Sequence, residues 1–330
     1  MKICNIFHSV DLDGWMSAAI VKYWWEKQPI EKVNGEYIRN EIDFIGYNYG
    51  RPIPDLSDLS EYDQVIMCDI SFPKEEMYKL CERRSENYPD FDFIYIDHHI
   101  SAISDLDKYI KGSGTYTDYP DGLRDTKYAA CELTWKYFFS NEPMPEIVKL
   151  LGLYDSFRHK GTPEEQKVLE FQYGARQCIS NYEEAYYYLV NKFDIENKPL
   201  LTQIYEKGKS IYKYLCTEAK QTYKNGFKIQ FDNPNWDTIE HYPGMPLKLK
   251  FICINKERFN PINFGIEYHK DGYDGAACFH YADGMWNFSL YNDNGEVDCS
   301  TIAKQYGGGG HMGSAGMRLT TKQFLNIIGG

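Results

Sequence analysis

Cysteine pairs are missing from this chain. Its nine cysteines (positions 4, 68, 81, 131, 178, 216, 253, 278 and 299) are odd in number, scattered, and free of any CxxC spacing. That excludes a zinc ribbon or a disulfide framework and implies reduced thiols in a cytoplasm-like compartment. Long apolar runs are missing too. None approaches the ~18 residues of a membrane span, so no membrane partner is expected. The first residues lack a basic stretch followed by an apolar one, so no targeting segment is expected before the first strand. Basic charge is in deficit, with 36 Lys and Arg against 48 Asp and Glu and a formal net charge of −12. Coating long DNA or RNA requires many Lys/Arg–phosphate contacts, so long duplex nucleic acid is not an expected partner. A small phosphate ligand held by cations remains open. No internal repeat or low-complexity tract is present. The 29 tyrosines read as a core with hydroxyls at its rim rather than as a base-stacking surface.

What is present suits two domains in 330 residues. Up to about residue 152, strand-like and helix-like segments alternate. Ile3–Phe7, Asp43–Tyr47, Val65–Cys68 and Phe93–Ile96 read as strands. Ser17–Lys27, Pro73–Asn87, Tyr128–Phe139 and Pro145–Leu151 read as helices. This alternation predicts an α/β fold, a mostly parallel sheet with helices on both faces. Residues 112–127 read as a loop and 164–192 as helical. The stretch Pro199–Lys224 reads as one long helix. After Gly226 come short strands: Phe227–Phe231, Leu247–Ile254, Ile262–Tyr268, Gly275–Tyr281 and Trp286–Tyr291. A helix over Cys299–Gln305, a glycine run and a last helix over Lys322–Ile328 follow. The expected division is a catalytic domain over 1–195, a linker helix over 196–225 and a smaller α/β domain over 226–330.

Acids and histidines gather just beyond the apolar runs. His8, Asp11 and Asp13 follow the first strand, Asp69 follows Cys68, Asp97-His98-His99 follows Ile96, and Asp155 follows Leu153-Tyr154. Open α/β sheets place ligands at the carboxyl ends of their strands. So many carboxylates at one point repel unless cations neutralise them. Hard divalent cations prefer carboxylate oxygen, and Mn²⁺ also accepts imidazole. His8, Asp11 and Asp13 can face two adjacent sites, with Asp69 bridging and with His98 and Asp155 completing the second. Any single Asp here, Asp13 and Asp155 included, has the alternative reading of a helix cap or turn residue. A double His after a strand Asp has no such explanation.

The triplet Asp97-His98-His99 resembles the signature of the DHH phosphoesterase superfamily, and the first loop, Asp69 and Asp155 resemble its other metal motifs in order. Cys299–Gly316, CSTIAKQYGGGGHMGSAG, is similar to the glycine-rich hallmark of the DHHA1 domain. The resemblance therefore covers nearly the whole chain and implies a DHH domain joined by a helix to a DHHA1-type domain. It implies two divalent metals, Mn²⁺ foremost with Mg²⁺ or Co²⁺ as substitutes. The first metal would be held by His8, Asp11 and Asp69, the second by Asp13, Asp69, His98 and Asp155. Asp97 would orient a histidine, and His99 would touch the scissile phosphate or the leaving oxygen. The implied activity is phosphoester hydrolysis of short oligonucleotides or nucleotides by a metal-activated water. The alternatives are an exopolyphosphatase or pyrophosphatase and a non-catalytic nucleotide-binding protein. A homodimer is left open.

In the glycine run, Gly308, Gly309, Gly310 and His311 can form a backbone nest that points N–H groups at an anion. Tyr291 stands where related domains carry Arg, and could stack or donate one hydrogen bond. Arg258 is a substitute cation or a solvated loop residue. His159, His241, His269 and His280 read as structural or exposed.

Overall fold

The computed structural model describes residues 1–33, 36–38, 40–54, 61–86, 91–112, 119–233, 247–257 and 259–329. It divides into two compact units, Met1–Ile211 and Tyr212–Gly330.

The first unit begins with β1 (Lys2–His8), α1 (Leu12–Glu26), a hairpin of β2 (Glu31–Val33) and β3 (Glu36–Ile38), and β4 (Glu41–Tyr47). β5 (Gln64–Cys68), α2 (Lys74–Glu86), β6 (Asp92–Ile96) and α3 (Ile100–Gly112) follow. The chain continues through α4 (Ala130–Phe138), α5 (Glu146–Asp155), α6 (Glu165–Cys178), α7 (Tyr182–Val190) and α8 (Leu200–Tyr223). Four strands make an all-parallel sheet in the order β4-β1-β5-β6. Successive side chains on a strand point to opposite faces, and both faces are covered. Cys4, Ile6, Val65, Met67, Phe93 and Tyr95 pack with Met77, Leu80 and Leu106 of α2 and α3. Ile3, Ile66, Cys68, Ile94 and Ile96 pack with Val21 of α1 and Leu133 of α4. Burial on both sides explains why these strands read as continuous apolar runs rather than alternating ones.

The helix expected from Ser17 begins at Leu12. Asp11 caps it, its side chain accepting from Gly14 N at 3.0 Å, so Asp13 and Gly14 sit in the first helical turn rather than in a loop. α5 runs on to Asp155, four residues past the expected end. The helical stretch 164–192 is broken at Ile179–Asn181, where Asn181 caps α7 through Glu184 N. Helix α3 is not among the elements read from sequence, although Ile100, Ile103, Leu106 and Ile110 recur at helical spacing.

The unit boundary falls inside α8, within the segment expected as the connector. The second unit adds β7 (Phe227–Asp232), β8 (Lys248–Asn255), β9 (Gly275–Ala282), β10 (Met285–Tyr291), α9 (Cys299–Gln305), β11 (Gly309–His311), β12 (Ser314–Leu319) and α10 (Thr321–Ile328). Its six strands run in the order β11-β12-β10-β9-β8-β7, and β8 and β9 form the parallel pair. Ile302 and Ala303 of α9 and Phe324 and Ile327 of α10 close its core. The expected strand over Ile262–Tyr268 is instead parts of two short 3-10 turns, Pro261–Phe264 and Tyr268–Asp271. Pro261 starts the first, the Asn260 side chain caps it through Ile262 N at 3.1 Å, and Gly265 (φ 68°) and Gly272 (φ 78°) end the two turns in left-handed conformations.

Candidate metal centre

Adjacent parallel strands deliver their carboxyl ends to one edge of the first sheet. β1 ends at His8, and β5 and β6 end one residue before Asp69 and Asp97. Between β1 and α1 the chain folds back so tightly that a Cβ on Gly14 would lie 2.1 Å from the His8 carbonyl oxygen. Glycine there lets Asp11 and Asp13 return beside His8.

Two clusters share one carboxylate. In the first, His8 Nδ1 lies 2.7 Å from Asp11 Oδ2 and 3.4 Å from Asp69 Oδ2. In the second, His98 Nε2 lies 3.2 Å from Asp155 Oδ2, 3.7 Å from Asp13 Oδ2 and 3.4 Å from Asp69 Oδ1. The two oxygens of Asp69 thus face different histidines. Asp69 is buried and has φ 60°, a left-handed conformation that is uncommon without glycine.

Asp11 and Asp13 each cap a helix and still turn a carboxylate oxygen toward a histidine. Asp11 caps α1 with Oδ1 and turns Oδ2 to His8. Asp13 accepts Ala130 N and Cys131 N, each at 2.9 Å, one on each oxygen. It thereby caps α4, whose own N-cap residue, Ala129, has no side-chain acceptor. A carboxylate oxygen has two lone-pair sites, so Asp13 Oδ2 retains one toward His98. Asp97 is occupied differently. Oδ2 accepts from Tyr95 Oη at 2.5 Å, while Oδ1 takes His98 N at 2.8 Å, His99 N at 3.2 Å and His99 Nδ1 at 2.8 Å. Those contacts make Asp97 an orienting group for the His99 ring.

The electrostatics follow from burial and neighbours. Burial opposes a charge on His8, but Asp11 and Asp69 outweigh it and hold its pKa up at about 11. Burial likewise opposes charge on His98, and Asp69, Asp155 and Asp13 raise it well above the ordinary value. His99 is raised by Asp97 against the same burial penalty. Burial and the charges of Asp69 and Asp155 push Asp13 well up. Burial pushes Asp155 up to about 6. Despite burial, the neighbouring His8 and His98 rings hold Asp69 well below the usual carboxylate range.

This donor set fits divalent cations. The groups are imidazole nitrogens and carboxylate oxygens without a thiol, the preference of hard or borderline metals. His8 Nδ1 and Asp69 Oδ1 are buried yet make no well-formed hydrogen bond, and unsatisfied buried polar atoms are rare without a missing ion or water. His8, Asp11 and Asp69 form one candidate group, and Asp13, His98 and Asp155 another.

Some neighbours were not legible as site residues. Tyr95 reads as a core strand residue, yet its hydroxyl holds Asp97. Tyr49 belongs to no motif, but its ring centroid lies 5.9 Å from that of His8 and 6.2 Å from that of His99. Buried Glu132 pairs with Arg158 and accepts from Ala129 N at 3.2 Å, tying the start of α4 to the chain just after Asp155. Their signal in sequence is indistinguishable from ordinary surface charge.

The glycine-run residues belong to the second unit. Gly309–His311 form β11, an edge strand paired with Ser314–Gly316. Gly308 N donates to Ala303 O at 2.9 Å. A Cβ on Gly308 would lie 2.1 Å from Gly316 O, and one on Gly310 (φ 140°) 2.6 Å from Ala315 Cα, whereas Gly309 faces open space. Tyr291 ends β10 opposite Ser314. His159 is buried and bonds Leu153 O at 2.9 Å, His269 pairs with Asp293 at 2.7 Å, and His280 is half-buried on β9. Arg258 and His241 lie outside the described residues.

No family model matches the chain. It is 22% identical over 330 residues to the uncharacterized protein R106 of Acanthamoeba polyphaga mimivirus, covering 94% of this chain and 66% of that protein. The chain thus spans just under two-thirds of the length of the curated relative it matches. Similar solved structures include an exopolyphosphatase-related protein from Bacteroides fragilis, with 13% identity, TM-score 0.49 and coverage of 99% of this chain and 90% of that one. Another is the pGpG-specific phosphodiesterase PggH from Vibrio cholerae, with 12% identity, TM-score 0.42 and coverage of 98% and 95%. A third, an uncharacterized protein from Helicobacter pylori G27, has 14% identity, TM-score 0.36 and coverage of 97% and 94%.

Proposed function

We propose that the first unit is a metal-dependent phosphoesterase that hydrolyses short oligonucleotides or nucleotides with two divalent cations, Mn²⁺ foremost. The observation that carries this reading is Asp69, whose two oxygens face His8 at 3.4 Å and His98 at 3.4 Å. His8, Asp11 and Asp69 would hold one cation, and Asp13, Asp69, His98 and Asp155 the other. When bound, the cations would neutralise phosphate charge and lower the pKa of an attacking water to near neutrality. Asp97 binds Nδ1 of His99 at 2.8 Å and would thereby orient the ring for its task. Asp97 favours the protonated form of His99 against burial, and that form would donate to the phosphate or the leaving oxygen.

Three features support short nucleotide substrates: the DHH-like motif set, the net charge of −12, and the glycine run with His311 and Tyr291 as phosphate contacts in the second unit. The test is one assay after chelator stripping and reconstitution with Mn²⁺, Mg²⁺ or Co²⁺. It compares bis-p-nitrophenyl phosphate, a dinucleotide, 3′-phosphoadenosine 5′-phosphate and polyphosphate. Metal-dependent turnover of the dinucleotide or nucleotide is expected. Turnover of polyphosphate alone would make the protein a polyphosphatase, and no turnover with any metal would leave a binding protein.

A further inference from the structure

Two carboxylates of the second cluster depend on the first turn of one helix. Asp13 accepts Ala130 N and Cys131 N, and Glu132 accepts Ala129 N, so two buried carboxylates take the leading amides of α4. Glu132 is also where α5 arrives. A Cβ on Gly152 would lie 2.4 Å from both Cγ and Cδ of Glu132, so the last turn of α5 rests directly on that side chain. Asp155 ends that turn. Beyond it, Ser156 N and Ser156 Oγ both donate to Gly152 O, at 3.1 and 2.6 Å. The chain then passes through Phe157 in a left-handed conformation, φ 58°, which is uncommon for a bulky side chain. Arg158 faces back over the turn. Its Nε donates to Ser156 Oγ at 2.8 Å, its Nη2 donates to Glu132 Oε2, and its guanidinium lies 4.7 Å from the Tyr128 ring centroid. One planar fork thus joins the end of α5 to the start of α4.

We propose that the Glu132–Arg158 pair fixes the separation of Asp13 and Asp155 across His98 and so governs the second cation site, while the first is held by other anchors. The proposal rests on the two-cation reading above. Asp13 Oδ2 and Asp155 Oδ2 lie 3.7 and 3.2 Å from the same nitrogen, His98 Nε2, and they stand on opposite sides of the tether. The amides of α4 orient the Asp13 carboxylate, and the last turn of α5 presents that of Asp155. The first cluster is anchored elsewhere, with His8 closing β1 and Asp11 capping α1 through Gly14 N. Glu132 and Arg158 act through the two helix ends, which makes them positioning residues. Cation affinity depends on how such supporting groups hold the ligands. A buried Glu132 deprived of its arginine is an uncompensated charge that disfavours folding, and this decides the choice of variants.

The test measures Mn²⁺ uptake by calorimetry and electron paramagnetic resonance in wild type, Arg158→Lys, Arg158→Gln and the double variant Glu132→Gln/Arg158→Gln, each checked for folding by thermal melting. The double variant leaves no unpaired buried charge, so it serves if Arg158→Gln does not fold. Wild type should bind two Mn²⁺ and give a spin-coupled signal. The glutamine variants should weaken one of the two sites about ten- to a hundredfold, the usual cost of losing a supporting partner, and show isolated Mn²⁺ at limiting metal. Arg158→Lys should recover part of the loss, since it keeps the charge without the fork. Arg158→Gln placed in an Asp155→Asn background should leave the remaining site unchanged, because the site it supports is already lost. Wild-type affinity at both sites in the folded variants, equal weakening of both sites, or a further loss in the Asp155→Asn background would overturn the proposal. Fewer than two Mn²⁺ bound by wild type would instead overturn the two-cation reading, and the proposal with it.

Discussion

At Asp69 a left-handed backbone, φ 60°, ends a central strand, and such a conformation costs on the order of 1–3 kcal/mol outside glycine. The return is a carboxylate with each oxygen on a different cluster. Asp69→Asn keeps a residue that tolerates this backbone and removes the charge. It should lose both metals by elemental analysis and fall to background turnover while retaining its far-UV circular dichroism. Loss of one metal alone would reject the shared role. The neighbouring histidines should separate by task. His98→Ala should lose one metal equivalent, because Nε2 faces three carboxylates. His99→Ala should keep its metal content and lower kcat about 10²–10⁴-fold, the usual range for a removed proton donor. Equal metal loss in the two variants would contradict the division. At this scale the acids and histidines of the candidate centre were legible as residues, and their hydrogen-bond partners were not. Nothing in a linear string says that Tyr95 Oη holds Asp97, or that Asp13 serves the amides of a helix more than a hundred residues away.

Elements matter through where they stop and how closely they approach. α5 ends at Asp155, so a helix terminus presents that carboxylate, and the Glu132–Arg158 pair tethers the turn beyond it. α6 and α8 meet backbone to backbone. A Cβ on Gly174 would lie 2.0 Å from Ile204 O, and one on Gly208 1.8 Å from Glu170 O. Neither collision involves a flexible side-chain tip, so the helices would have to separate. Gly208→Ala should therefore destabilise the protein by about 1–3 kcal/mol, the usual cost of overpacking, although alanine favours helix at an exposed site. A melting temperature equal to or above wild type would refute this contact. Element type was largely readable from apolar spacing and caps. The 3-10 turns around Phe264 were not, because apolar residues next to Gly and Pro suit a short strand equally well.

For the molecule as a whole, proton and metal would compete for one cluster of charges. The folded pKa of His8, about 11, lies above its ordinary 6.5. Its contribution to the stability of the metal-free protein is therefore complete below about pH 6.5 and is lost as pH rises through about 11. Between pH 6 and 9 a cation must displace that proton. Apparent Mn²⁺ affinity should therefore rise with pH, about tenfold per unit for each proton released. Calorimetry in buffers of different ionisation enthalpy would count the protons, and pH-independent affinity would contradict the arrangement. Metal bound only to the folded state also stabilises it, by about 2.7 kcal/mol at a hundredfold excess over Kd. Chelator should lower the melting temperature and added Mn²⁺ restore it. An unchanged melting curve would count against the buried centre.

Apolar runs ending in Asp and His were enough to set the strand pattern, the α/β alternation and the residue types of the centre, because burial on both sheet faces and the chemistry of cation ligands each act on residue identity. The tertiary structure alone decided which oxygen faces which nitrogen, that Asp97 turns to His99, and that Tyr49 and Tyr95 stand by the site. Those relations arise where strand ends and helix termini from distant parts of the chain converge. Their energies depend on distance and burial, which a linear order of residues does not contain.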